Sequence, residues 1–250
     1  MVGALEIAAG IGVLAGAALQ SATGFGFALI AAPLMFAAAG PAPAVGLLIV
    51  LGLLVNLMTL GTEGRRPQPL VPDSLRLAGW AVPGVAAGLL MLRSLDATAL
   101  QVAVTLGVFA TLAVRALARR RRADGAEEPP WWAAPAAGFT SGALTTSTNT
   151  AGPPVVLYML ARGATPIQTR DTLTATFVGF ALLGIAALAL SGTEDAVPDA
   201  AALAALVPAV VVGHLSGRPV FARIAEHRYE PVLTGVLVAT ALAGLATALL

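Results

Sequence analysis

Two short polar patches interrupt an otherwise apolar chain, and they hold the residue types best suited to chemistry. The first runs Gln20-Ser21-Ala22-Thr23-Gly24-Phe25-Gly26. The second is Thr145-Thr146-Ser147-Thr148-Asn149-Thr150, followed closely by Gly152. Their hydroxyls and amides are neutral donors, and glycine lets a ligand come close to backbone N–H groups. Such groups hold an anion through dipoles and still permit its release. Isolated Ser, Thr and Gly in apolar helices serve packing instead. A run of consecutive polar residues is different, because each one is costly to bury without water or a ligand. Gln20, Ser21, Thr23, Gly24, Gly26, Thr145, Thr146, Ser147, Asn149, Thr150 and Gly152 are therefore the expected substrate-binding residues.

His214 and Asp171 are the candidates for a coupling proton. Each has a structural alternative. His214 lies in the glycine-flanked stretch Gly213 to Gly217, where a hydrogen-bonded helix interface is equally natural. Asp171 follows Arg170 at an expected helix start, where an N-cap or a salt bridge accounts for it. An intramembrane serine protease is the enzyme alternative, with Ser141 as nucleophile and His214 as base. The stretch Gly138-Phe139-Thr140-Ser141-Gly142 has one residue too many for the Gly-x-Ser-Gly setting of rhomboid proteases. The chain has no cysteine, and all 14 Lys and Arg positions are arginine. Thiol, zinc-thiolate, Schiff-base and P-loop lysine chemistries are excluded. No cofactor, metal site or nucleic-acid partner is expected.

The elements that position these patches follow from composition. Of 250 residues, 58% are hydrophobic and 11% charged, against about 25% charged in a soluble domain. So few charges cannot cover a water-facing surface, so a lipid bilayer is the expected surrounding. A crossing helix needs about 20 apolar residues. Apolar segments run over 2–39, broken by the first patch, then 42–60, 73–92 and 97–118. A charged linker at 119–130 follows. The layout then repeats as 131–161, broken by the second patch, 171–191, 199–217 and 230–250. The expected fold class is an all-α polytopic membrane protein. The N-terminus lacks a basic region and carries Glu6, so it reads as a retained helix.

Sliding the chain by 126 positions aligns Gly16 with Gly142, Ser21 with Ser147, Thr23 with Asn149 and Gly26 with Gly152. Pro72-Asp73 meets Pro198-Asp199, each pair placed where Asp can cap a helix. With a one-residue gap, Pro83 meets Pro208 and Gly88 meets Gly213. The domains expected are a first transmembrane repeat at 1–118, the cytoplasmic linker at 119–130 and a second repeat at 131–250. Cytoplasmic loops carry the arginine excess. Putting loops 62–72, 118–131, 162–170 and 217–229 inside leaves only Arg93 outside. Both termini then lie outside, and the halves have opposite orientations, as in many secondary transporters. Trp131 and Trp132 read as interfacial anchors beside the basic linker, and Glu63 and Asp96 read as loop residues. All arginines are expected near a membrane edge.

Residues 131–161 begin and end on one side. About 31 residues are too few for two full crossings of about 20 each. The expected solution is a hairpin of two short helices with its turn at 145–150. Residues 3–39 form the equivalent hairpin from the other side, long enough for two full crossings. The second arms start near Gly26 and Pro153, so their N-termini face the midplane, where helix dipoles favour anions.

The segments SATGFGFALIAAP (21–33) and GFTSGALTTSTNTAGPPVVLY (138–158) resemble the paired glycine-rich signatures of the TauE/SafE family of sulfite and organosulfonate exporters. The resemblance extends over almost the whole chain. It implies a bacterial inner-membrane transporter of sulfite, organosulfonates or another small organic anion. The matching segments are Ser21 to Phe27 and Ser147 to Pro153. The expected function is secondary transport by alternating access at a midplane site between the hairpin tips, with an anion channel as the alternative. The expected partners are a small anionic substrate and the bilayer, and small-residue faces permit a homodimer.

Overall fold

The computed structural model describes residues 3–96, 99, 100, 102, 129–192, 194–224, 228–236 and 238. Most of the span expected over 97–118, linker residues 119–128 and the end of the 230–250 span lie outside them. So do Arg115, Arg119 to Arg122, Asp124, Glu127 and Glu128.

The described residues form α-helices with one 3-10 turn at Glu194–Ala196. Helix α1 (Ala4–Thr23) starts with the Glu6 carboxylate accepting the Gly3 N–H at 2.9 Å. It ends at Gly24, whose left-handed backbone (φ 89°) turns the chain. Helix α2 (Phe27–Ala39) begins after Gly26, also left-handed. Helix α3 (Pro41–Gly61) opens on proline, which suits a first helical position. Helix α4 (Val71–Ser94) has Pro83 inside it. Then come α5 (Ala133–Ser147), α6 (Gly152–Arg162), α7 (Pro166–Ser191) and α8 (Ala200–Arg223).

Among the described residues, five helices (α1, α3, α4, α7 and α8) are long and apolar enough to cross a membrane. The protein is a multi-pass membrane protein of helical class. The hairpins are unequal. The 20 residues of α1 reach about 30 Å, and the 13 of α2 only about 20 Å. Two full crossings in the first hairpin, which its length allows, do not occur. In the second hairpin α5 and α6 have 15 and 11 residues. Both fall short of the roughly 30 Å hydrocarbon thickness.

Several boundaries differ from the expected ones. Helix α7 starts at Pro166, not 171, because Thr165 and Gln168 form a reciprocal capping box ahead of the apolar run. Asp171 is thus well inside the helix and is not its cap. Asp199 does cap α8, accepting the Ala202 N–H at 2.8 Å. Its counterpart Asp73 does not cap. Helix α4 begins two residues earlier, and Asp73 turns to Tyr158 and Arg162.

Two close crossings organise the bundle. Helix α4 runs alongside α5, with Gly84 and Gly88 against the backbone of Phe139 and Ala143. Gly138 and Gly142 face Leu77 and Ala81 in return. Helix α8 runs alongside α1 in the same manner, with Gly213 against Leu14 and Gly217 against Ala18. A Cβ at these glycines would push the helices apart, so small residues permit the approach. Helix α3 is the most buried of the long helices and packs against α7 at the centre. Leu5, Ile7, Ile11, Leu75, Leu90, Leu182, Leu190 and Leu215 point outward, as a lipid-facing surface requires.

Candidate binding cavity between the hairpin tips

A cavity of about 50 Å³ lies where the two tips meet α3 and α7. A water needs about 10–15 Å³ of such space, so the cavity has room for a few waters or one small oxyanion. The first tip contributes Gln20, Gly26 and the start of α2. The second contributes Thr145, Asn149, Thr150 and Gly152. Helix α3 adds Ile49, Gly52, Leu53 and Asn56, and α7 adds Phe177, Phe180 and Ala181. No charged residue occurs among the described residues lining it.

The donors are organised by a relay of amides. The Phe27 N–H donates to Gln20 Oε1 at 3.0 Å, and Gln20 Nε2 donates to Asn56 Oδ1 at 2.7 Å. Asn56 lines the cavity, and its Nδ2 donates no hydrogen bond among the described residues. The Asn149 carboxamide likewise has no partner among them. Asn149 is the described non-glycine residue with positive φ, at 57°. Asn tolerates that region because its short polar side chain fits it. The glycine N-cap of α2 leaves the amides of Ala28 and Leu29 without a capping side chain. Helix α6 offers less. Pro153 and Pro154 have no N–H, so Gly152 is the amide remaining in its first turn.

The other expected residues lie behind the lining. The Thr23 hydroxyl donates to the Leu19 and Phe25 carbonyls at 2.8 and 2.7 Å. Thr146 donates to the Val85 carbonyl at 2.8 Å, and Ser147 to the Ala143 carbonyl at 2.8 Å. These three build the tips. Gly24 sits against Arg170, which a Cβ there would meet at 3.0 Å. The Ser21 hydroxyl pairs with His214 Nδ1 at 2.8 Å, and Thr62 pairs with His214 Nε2 at 2.9 Å. His214 therefore ties α1 and the end of α3 to α8. Ser141 donates to the Ala151 carbonyl at 2.8 Å, so the Ser141–His214 pairing needed by a protease is not formed.

A second polar cluster lies beside the first tip, where Arg170 packs against Ser21 and Gly24. Arg170 is fully buried there. Its guanidinium donates to the Ser21 carbonyl and to Glu63, and stacks 4.1 Å from the Phe221 ring centre. Arg65 bridges Glu63 at 2.9 Å and holds both Asp171 oxygens at 2.6 and 2.8 Å. The Gln68 N–H also donates to Asp171, at 2.7 Å. Hydrogen bonding to Asp171 holds Arg65 above the ordinary arginine range. Arg170 is buried inside the protein although it lies only four residues after the start of α7. The carbonyls at the end of α1 attract a cation, and Glu63 supplies its countercharge. Glu63 is accordingly more than a loop residue.

Sequence reasoning missed Asn56, Arg170 and Glu63 as parts of this assembly. A single amide inside the apolar run of α3 was the available signal for Asn56. Arg170 and Glu63 carried no such signal, because their pairing joins positions far apart in the chain.

The fold and cavity define a polytopic membrane protein enclosing a small, uncharged, donor-rich pocket. The chain belongs to the TauE/SafE sulfite exporter family, whose match extends over residues 8–244. It is thus a member of a membrane transporter family. No curated protein and no solved structure matches the chain.

Proposed function

We propose that this chain is a secondary transporter that exports small anions such as sulfite, organosulfonates or small organic acids. The site is the cavity between the hairpin tips. The observation that carries this reading is the convergence of both tips on one cavity lined by neutral donors. Family membership supports sulfur oxyanions as the substrate class.

The two halves act as inverted repeats, residues 1–118 and 131–250, joined by the linker at 119–130. The crossings support this. Gly88 packs on Ala143, and Gly213 packs on Ala17. Ala143 and Ala17 are 126 positions apart, the spacing that aligns the polar patches. Such halves rock around a shared site in alternating access. The arginine-rich loops lie in the cytoplasm and both termini lie outside, in the bacterial inner membrane. The cluster Glu63-Arg65-Arg170-Asp171 closes the cytoplasmic side and separates when the site opens inward. His214 and Asp171 belong to this closure, since neither lines the cavity.

Counterflow in proteoliposomes tests the proposal. Internal unlabelled sulfite drives saturable uptake of labelled sulfite through a transporter. Uptake that follows only the electrochemical gradient, without counterflow, identifies a channel instead.

A further inference from the structure

We infer that the cavity selects monovalent over divalent oxyanions, so that a sulfonate or hydrogen sulfite is accepted and sulfate is rejected. This rests on the cavity being the transport site.

Three observations carry it. The described lining contains amide and backbone donors but no cation. The charged groups packed beside the first tip, Glu63, Arg65, Arg170 and Asp171, are paired with each other and sum to zero. Asn56 lines the cavity with an Nδ2 that donates no hydrogen bond among the described residues, which leaves a donor for an oxygen. Neutral donors can satisfy one negative charge, as they do at helix N-termini. A second charge in a cation-free pocket lined by neutral donors meets no countercharge and is costlier to desolvate. Part of the wall is apolar, built from Phe177, Phe180 and Leu53. That wall suits a small apolar substituent or a weakly hydrated oxygen, and not the strongly hydrated face of a dianion.

Methanesulfonate and sulfate are the probes, since they are alike in tetrahedral shape and near in size, and differ by one charge and by a methyl in place of one oxygen. Binding of each to the detergent-purified full chain is measured by calorimetry, for wild type, Asn56→Ala and Asn149→Gly. The melting temperature of each variant checks its folding. The expected result is methanesulfonate binding at least ~100-fold tighter than sulfate, and weakened in both variants. Comparable affinity for the two ions, with both weakened by the variants, overturns the charge selectivity and leaves the site standing. Methanesulfonate binding that neither folded variant changes overturns the site itself. Tighter binding of sulfate overturns the selectivity outright.

Discussion

Asn149→Gly isolates one donor of the proposed site without disturbing the turn that holds it. Asn149 has φ 57°, and its carboxamide borders the cavity without a protein partner among the described residues. Alanine is a poor probe here, because a left-handed backbone costs it about 1–2 kcal/mol. Glycine adopts that backbone freely and removes only the amide. A hydrogen bond to a charged group contributes about 1.5–3 kcal/mol. At 1.4 kcal/mol per tenfold, the Kd for sulfite or methanesulfonate should rise by about 10- to 150-fold. Added chain flexibility should cost about 0.5–1 kcal/mol of stability. Calorimetry reads the first quantity and thermal melting in detergent reads the second. Ser147→Ala is the matched control. Its hydroxyl is spent on the Ala143 carbonyl behind the cavity, so affinity should stay at the wild-type value. An unchanged Kd in a folded Asn149→Gly protein would refute the assignment of this amide to the anion.

Arg170→Met should destabilise the protein by about 3–5 kcal/mol, since it leaves Glu63 short of its buried partner. Melting temperature reads this, and adding Glu63→Gln should recover part of the loss. Gly142→Ala should cost about 1–3 kcal/mol through overpacking, because its Cβ would lie 2.8 Å from Ala81 Cα. Gly79→Ala, with nothing within 4 Å, should be neutral or stabilising by up to about 1 kcal/mol. Thr165→Ala should lower stability by about 0.5–2 kcal/mol by removing the cap of α7, read by the same melt.

The membrane class, the hairpin at 131–161 and the position of both polar turns were legible in the sequence. Each depends on local features: apolar run length, polar interruption, and proline and glycine punctuation. Helix starts were less legible, because hydropathy ignores caps. The run beginning after Asp171 concealed the Thr165-Pro166 start, although Thr and Gln three residues apart were visible.

Within the candidate site, the sequence singled out both patches but could not sort their members. Thr23, Thr146 and Ser147 look equivalent to Asn149 on paper. Only the packed structure shows that the first three spend their hydroxyls on backbone carbonyls while Asn149 faces the cavity. The same holds for Arg170, whose burial against Ser21 and Phe221 no local pattern announced. Composition and periodicity alone determined that this chain lives in a bilayer and breaks its helices at two polar points. Which donors remain free, and which charges cancel, was decided by contacts across more than 100 positions, such as Arg170 with Glu63 and Arg65 with Asp171. A hydrogen bond satisfied by a distant partner leaves no trace in local sequence, so tertiary packing alone could assign it.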